Sequence, residues 1–150
     1  MSDKHHKHEK QKDELSGTST SNSPAEADLI VEYRGKSIIK SELDVLLELE
    51  REIGEIPLIP PEYFGPDVYG VIIEQNHIFA INILGQGLTT LPESISRLTK
   101  LVVLNLAGNQ LTTLPDSIGQ LSTLKILVIL HNQLTSVPDS ITRLTALNEL

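Results

Sequence analysis

Clustered histidines, evenly spaced serines and evenly spaced carboxylates are the side chains in this sequence that could do chemistry. His5, His6 and His8 lie close together, and clustered imidazoles can bind zinc, copper or nickel. The chain has no cysteine, and no second cluster of ligands accompanies these histidines. A solvated, charged tail is therefore the favoured interpretation, and we expect neither a metal site nor a cofactor.

The serines recur at positions 94, 117 and 140, and each follows an acidic residue, at positions 93, 116 and 139. A catalytic serine needs a base that converges with it in one pocket, whereas these serines repeat in step with one another. The carboxylates could attract a basic partner or a cation, but a carboxylate is also favoured at the start of a helical segment. We assign both sets to repeated turns and predict that the chain is not an enzyme.

The serines are spaced 23 residues apart, and a sequence pattern with the same period extends over about half of the chain. The pattern LxxLxLxx(N)xLxxLPxxIxxL occurs three times, as IFAINILGQGLTTLPESISRL, LVVLNLAGNQLTTLPDSIGQL and LKILVILHNQLTSVPDSITRL. These copies define repeats 78–100, 101–123 and 124–146, with a partial copy at 147–150. Self-similarity at a fixed period is the signature of a repeat architecture. One copy buries too little apolar surface to fold alone, so we expect the copies to stack.

Each part of the repeat has a structural role. Alternating leucines such as Leu104 and Leu106 face the same side of a short strand, and the strands of successive copies are expected to form a parallel sheet. The proline of each copy fixes φ at the turn into a short helical or 3₁₀ segment. Asn109 and Asn132 are expected to form a structural ladder, because their amides can bond the unpaired backbone of the turn. Gln86 takes that place in the first copy and predicts a less regular ladder there.

With these motifs, residues 78–150 resemble the intracellular leucine-rich repeats of the 23-residue LPxxIxxL class, which occur in Ras-associated scaffold proteins and in Roco GTPases. The resemblance implies an α/β fold, namely a solenoid with a curved parallel β-sheet and short helical or 3₁₀ segments on its convex side. It also implies a protein-protein interaction module that acts in intracellular signalling or GTPase regulation.

Two alternatives to such a module stay open. The chain could be the sensor region of a larger Roco-type GTPase or other enzyme; it contains no phosphate-binding GxxxxGK[ST] motif, so the catalytic domain would lie elsewhere. The partial fourth copy stops inside an expected strand at Leu150, which we interpret as an N-terminal fragment. An unpaired strand edge would also allow self-association, so a self-assembling structural protein is the second alternative.

The resemblance implies that a protein partner binds the concave face of the strands, and the repeat alignment identifies the side chains there. The expected partner-binding residues are Asn82, Leu84, Val103, Asn105, Ala107, Ile126, Val128, Leu130, His131 and Glu149. Four of them form an apolar patch, and such patches commonly mark interaction sites: Val103, Ile126, Val128 and Leu130. Drift of the repeat toward residues that favour strands explains the patch equally well. His131 is either a pH-responsive contact or a plain exposed histidine.

Residues 28–77 lack the pattern of the repeats, and we expect them to form an α+β cap on the first repeat. A hairpin is expected around Arg34 and Gly35, and a helix is expected from Ser41 to Gly54. The apolar stripe of that helix contains Leu43, Leu46, Leu47 and Ile53, with Leu49 beside it.

Two strands joined at Gln75 and Asn76 follow this helix in the predicted cap, and the second of them opens the repeat stack. His77 is interpreted as a solvated turn residue. All five aromatic residues lie between positions 33 and 79. Large rings gathered in this part of the chain suit a cap.

Composition and charge disfavour some kinds of partner and some cellular locations. Residues 1–27 are polar and are expected to be disordered. Residues 1–24 carry four basic and four acidic side chains, so the net charge of −8 lies in residues 25–150. An acidic body disfavours nucleic acid and anionic membranes as partners. The start lacks the apolar core of a secretory signal, and the chain has no cysteine, so a cytoplasmic location is expected.

Overall fold

The computed structural model describes residues 29–150, and the histidine cluster at positions 5–8 lies outside that range, as does the whole polar tail, residues 1–27. The described chain consists of six short strands, one α-helix and four 3₁₀ segments. In chain order these are β1 (Ile30–Tyr33), β2 (Lys36–Ile39), α1 (Lys40–Ile53), a 3₁₀ segment (Pro61–Tyr63), β3 (Gly70–Glu74), β4 (His77–Asn82), a 3₁₀ segment (Glu93–Arg97), β5 (Val103–Asn105), a 3₁₀ segment (Asp116–Gln120), β6 (Ile126–Val128) and a 3₁₀ segment (Asp139–Arg143).

The predicted N-terminal hairpin is confirmed. Strands β1 and β2 pair antiparallel, and Arg34 and Gly35 both have positive φ, at 50° and 82°. Two consecutive left-handed residues give the turn whose twist matches that of a hairpin. The Arg34 guanidinium lies 4.5 Å from the centre of the Tyr33 ring and 3.2 Å from the Glu50 carboxylate, so the hairpin is joined to the helix that follows.

Helix α1 departs from the prediction at its start and on its buried face. It begins at Lys40, directly after β2, and its N-cap Ile39 makes no side-chain capping bond. The predicted start at Ser41 was wrong because no loop separates strand from helix. The buried positions are Glu42, Val45, Leu46 and Leu49, so the predicted stripe was displaced by part of a turn. The end at Gly54 is confirmed, with φ of 87° and its N–H bonded to the carbonyl of Glu50.

Four strands form the main sheet in the order β3, β4, β5, β6. Strands β3 and β4 are antiparallel and are joined by Gln75 and Asn76, which have φ of 51° and 69°. Strands β4, β5 and β6 are parallel and in register, as the 23-residue period predicted. Beyond β6, Glu149 pairs in parallel with Ile126 as an isolated bridge. The 3₁₀ segments of successive repeats stack on one another.

One continuous aliphatic core joins the N-terminal segment to the repeats. Consensus positions of the first two repeats are almost fully buried, for example Ile83 and Leu106, both at 0% exposure. Their counterpart Ile129 is only partly buried. The expectation that the aromatic residues form a cap was wrong for two rings, since Tyr63 is 67% and Phe79 38% exposed. Aliphatic side chains of α1 and β3 belong to the core instead.

Helix α1 is bonded to the first repeat through its carboxylates. The Glu42 side chain is buried, with one oxygen 2.6 Å from His77 Nδ1 and the other accepting the N–H of Ile78 at 2.6 Å. The interpretation of His77 as a solvated turn residue was therefore wrong. His77 opens β4 instead, and a contact with a residue 35 positions earlier in the chain holds its ring.

Asn109 and Asn132, each four residues after the end of a strand, link neighbouring repeats. Asn109 donates to the carbonyls of Ile83 in the preceding repeat and Leu106 in its own, and its Oδ1 accepts the N–H groups of Gln86 and Leu88. Gln86 instead donates to the carbonyl of Leu84 within its own turn. Asn132 repeats part of this arrangement, bonding the carbonyl of Leu106 and the N–H of Leu111.

Candidate strand-face binding site

The side chains that point away from the core of the parallel sheet form what we call the strand face. Its rows follow from the strand register: Ala80, Val103, Ile126 and Glu149 form one row, and Asn82, Asn105 and Val128 form the next. Leu84, Ala107 and Leu130 occupy the corresponding place after the strands. Except for Ala80, these are positions that the repeat alignment assigned to the partner.

A loop of the N-terminal segment covers the first part of the strand face. Ile72 and Ala80 are paired across β3 and β4 and are buried at 4% and 1% exposure, yet both lie outside the continuous core. The neighbouring pair, Val71 and Ile81, lies inside that core. Because side chains alternate along a strand, Ile72 and Ala80 face the opposite side, where other residues shield them from solvent.

The covering segment is Phe64-Gly65-Pro66, which we call the face loop. Asn82 Nδ2 donates to the carbonyls of Gly65 and Pro66 at 3.0 and 2.9 Å. Asn105 Nδ2 makes a longer bond, 3.4 Å, to the same carbonyl of Pro66. Each asparagine also supports its own turn, since its Oδ1 accepts a backbone N–H two residues later.

Three predicted partner-binding residues are consequently buried in this structure, although Asn105 still lines a groove beside the loop. Asn82 is buried at 1% exposure because the face loop lies on it. Asn105 is buried at 8% and Ala107 at 7%, since both are enclosed by their neighbours and Asn105 also contacts the loop. Leu84 is partly buried. The expectation that Asn82 and Asn105 contact a partner did not include this burial, because no pattern in the sequence indicates a loop that folds back across the strands.

Four of the remaining predicted residues, Val103, Ile126, Val128 and Glu149, line a groove of about 390 Å³ beside the face loop. Its walls are formed by Phe64, Gly65, Pro66, Asn82, Val103, Asn105, Ile126, Val128 and Glu149. Glu149 is the one charged residue among them. Val103, Ile126 and Val128 are half-buried, so the apolar patch is continuous with the groove. Grooves with an apolar lining and few polar groups are the usual form of a binding site.

Leu130 and His131 extend the patch beyond the groove. Leu130 is 62% exposed, and the exposed His131 has φ of 58°. The corresponding residues of the first two repeats are Gly85 and Gly108, with φ of 67° and 70°. A left-handed conformation costs little for glycine but is strained for histidine. The third repeat therefore retains a large polar side chain at a position where the backbone favours glycine.

The repeated serines stabilise the stack of 3₁₀ segments. Ser117 Oγ donates to the carbonyl of Glu93 in the preceding repeat at 2.8 Å, whereas Ser94 Oγ donates to the Glu48 carboxylate of α1 at 3.0 Å. The buried Ser140 Oγ has no hydrogen-bond partner among residues 29–150. None of these serines is bonded to a histidine within that range, so their contacts are those of packed turns.

The charged groups of the N-terminal segment also have structural partners. Glu50 accepts the Tyr33 hydroxyl at 2.9 Å and the N–H of Ile56 at 2.8 Å. Burial, and then the bond to Glu50, raise the pKa of the Tyr33 phenol well above its usual range. Burial, followed by the charge of Glu50, raises the pKa of Tyr69. Both phenols therefore stay protonated at neutral pH and serve as fixed donors.

No group of three or more histidine, cysteine, aspartate or glutamate side chains in residues 29–150 has an arrangement that could hold a metal ion. Across the same residues, no helix is both long enough and apolar enough to cross a membrane.

Comparison with known proteins agrees with this architecture. Residues 99–150 match the family described as leucine rich repeat. A leucine-rich repeat protein of Leptospira interrogans is 40% identical over 46% of this chain and 18% of its own, with a TM-score of 0.45. The structure of PEPR1-AtPEP1 is 22% identical, covers 73% of this chain and 17% of that one, and has a TM-score of 0.55.

The leucine-rich repeat ectodomain of the receptor kinase SOBIR1 from Arabidopsis thaliana is 22% identical over 75% of this chain and 68% of its own, also with a TM-score of 0.55. The chain spans less than a fifth of the Leptospira protein and of PEPR1-AtPEP1. A comparison with curated proteins gave no match. The parallel sheet, the family match over residues 99–150 and the similarity to the SOBIR1 ectodomain support an α/β fold of the leucine-rich repeat type.

Proposed function

We propose that this chain is a protein-protein interaction module whose partner binds the strand face over the second and third repeats. The observation that carries the proposal is the continuous apolar patch formed by Val103, Ile126, Val128 and Leu130, which borders a groove and lies outside the core. A free surface of this kind is costly in water and is typical of interaction sites. The similar fold of receptor ectodomains supports the architecture on which the proposal rests.

We extend the proposal to the ends and shape of the repeat stack. Residues 29–77 act as its N-terminal cap, which is supported by the antiparallel pairing of β3 with β4 and by the bonds from Glu42 to the first strand. The parallel strands on one side and the 3₁₀ segments on the other have different spacing requirements, so the stack curves with the strand face on its concave side.

The cellular setting is a second part of the proposal. The LPxxIxxL motif of the first two repeats, which becomes VPxxIxxL in the third, supports membership of the 23-residue intracellular class, with signal transduction, scaffolding or GTPase regulation as the role and the cytoplasm as the location. The sensor region of a larger Roco-type protein is the alternative within the same setting. Fractionation of source cells tests the location: recovery of the protein from a secreted or surface fraction would contradict it.

The binding role is tested by partner capture with matched variants. Immobilised full-length chain is used to capture proteins from an extract of its source, and captured proteins are compared between wild type, Val128→Glu and Val137→Glu. Val137 is 40% exposed and lies in the loop before the third 3₁₀ segment of the repeats, away from the strand face. The Val137→Glu variant therefore adds the same negative charge at a different surface. We expect wild type and Val137→Glu to retain a protein that Val128→Glu loses, with all three folded by circular dichroism.

Equal capture by Val128→Glu and wild type would contradict binding on the strand face. Self-assembly is distinguished by sedimentation velocity across a hundred-fold range of concentration. A binding module stays at one sedimentation coefficient until its partner is added, whereas a self-assembling protein forms larger species as its own concentration rises. Growth that Val128→Glu abolishes would identify the strand face as the contact between copies.

A further inference from the structure

The face loop shows what kind of group the strand face binds. The bonds between them run from the side-chain amides of Asn82 and Asn105 to backbone carbonyls of Gly65 and Pro66, and Phe64 just before them has extended dihedral angles. A backbone segment is thus recognised through its carbonyl groups, without a specific side-chain partner. The strand face therefore has the chemistry to bind polypeptide backbone, and the face loop occupies only its first part.

One donor of this kind remains available in the groove. Asn105 Nδ2 carries two hydrogens, and the only bond that it donates to a described residue is the long one, 3.4 Å, to the carbonyl of Pro66. The groove continues from Asn105 across Ile126 and Val128 to Glu149. A second backbone segment that lies beside Pro66 can accept the remaining hydrogen and place a side chain on the apolar wall.

The charge of the groove indicates which type of residue suits the other end of that backbone segment. No basic residue lines the groove, and the exposed Glu149 carboxylate has no hydrogen bond or ion pair with any described residue. Neighbouring strands are about 4.8 Å apart, and an extended chain advances about 3.3 Å per residue. Two residues of an extended peptide therefore span roughly the distance from the middle of the apolar wall to the carboxylate.

We propose that the groove binds an extended peptide of a partner protein that carries an apolar side chain and, two residues away, a lysine or arginine. The apolar side chain lies on Val103, Ile126 and Val128, a carbonyl accepts the amide of Asn105, and the cation pairs with Glu149. This inference rests on the proposed function, because it specifies the partner of the same strand face. Residues two apart in an extended chain point to the same side, as this arrangement requires.

The test uses the full chain labelled with ¹⁵N and three acetylated hexapeptides in a glycine-serine background. Each contains one leucine and, two residues later, a lysine, a glutamine or a glutamate. We expect the lysine peptide to shift the amide signals of Val103, Ile126 and Val128 and to bind about two- to five-fold more tightly than the glutamine peptide, as one exposed ion pair allows. The glutamate peptide binds more weakly than either.

Two matched variants assign the charge effect to its residue. Glu149→Gln should abolish the preference for lysine over glutamine, whereas Glu93→Gln, an exposed carboxylate in a 3₁₀ segment, should retain it. Equal binding of the lysine and glutamate peptides would overturn the inference, and so would shifts confined to other surfaces. If dilution of the free protein moves the same signals, the occupant is a second copy of the chain and the proposal is wrong.

The two proposals fail in different ways. If Val128→Glu loses the natural partner while the peptides bind without preference, the proposed function stands and the peptide chemistry is wrong. If Val128→Glu keeps the partner while the lysine peptide still binds the groove with a preference that requires Glu149, the peptide chemistry stands and the partner of the whole chain binds elsewhere.

Discussion

At the scale of single residues, His131 places a large side chain beside the strand face at the cost of a strained backbone conformation. Its φ of 58° matches the glycines of the first two repeats, and a residue with a side chain pays about 1–2 kcal/mol for that conformation. Nothing lies within 4 Å of a side chain placed at Gly85, so a substitution there introduces conformational strain alone. Substitutions at these two positions are therefore expected to change the free energy of unfolding in opposite directions.

We predict that His131→Gly raises the free energy of unfolding by about 0.5 kcal/mol, because relief of strain exceeds the greater freedom of glycine in the unfolded chain. Gly85→Ala should lower it by about 1 kcal/mol. Urea unfolding followed by circular dichroism measures both. A loss of stability in His131→Gly would mean that the histidine makes stabilising contacts that outweigh its strain. If the stabilised variant also loses partner capture, His131 belongs to the binding surface.

At the scale of elements, the docking of α1 on the first repeat depends on one buried carboxylate. Glu42 is 1% exposed and satisfies both His77 and the N–H of Ile78. Glu48 on the same helix makes a single bond to Ser94 Oγ in a partly buried site. The two glutamates thus allow a buried and a partly buried hydrogen-bonded link between α1 and the first repeat to be compared.

We predict that Glu42→Ala lowers the free energy of unfolding by about 2–3 kcal/mol, because it leaves the N–H of Ile78 buried without a partner. Glu48→Ala should cost about 0.5–1 kcal/mol, the usual value of one hydrogen bond. Urea titrations of both variants make the comparison. Similar small losses in both would show that water replaces the carboxylate and that α1 is not tightly docked through Glu42.

Sequence periodicity predicts the elements of the repeats much better than the contacts between elements. The 23-residue spacing predicts the register of β4, β5 and β6 and the 3₁₀ segment after each proline, because both follow from patterns within one repeat. The Glu42–His77 pair and the bonds from Asn82 to the face loop join residues 35 and 16 or 17 positions apart. No local pattern encodes such contacts, so the sequence predicted which side chains lie on the strand face but not that Asn82, Asn105 and Ala107 are buried there.

At the scale of the whole molecule, burial decreases along the repeat stack. Leu88 and Leu111 are 0% exposed, whereas Leu134 is only partly buried. Just before the proline of each repeat, Leu91 and Leu114 are 3% and 6% exposed but Val137 is 40% exposed. In a repeat architecture the stability of each unit comes from its own contacts and those with its neighbours. The third repeat therefore has the weakest interface within residues 29–150.

We predict that native-state hydrogen exchange follows this gradient. The N–H groups of Ile83 and Leu106 donate to the neighbouring strand from fully buried positions, and they should exchange about ten-fold or more slowly than that of Leu127, whose acceptor is the isolated Glu149. Leu134→Ala should accelerate exchange in the third repeat alone, whereas Leu111→Ala should accelerate it throughout. Uniform protection in wild type, or a global effect of Leu134→Ala, would show that the repeats unfold as one unit. Because the apolar patch spans the second and third repeats, a partner that binds it should raise the protection of Leu127 most.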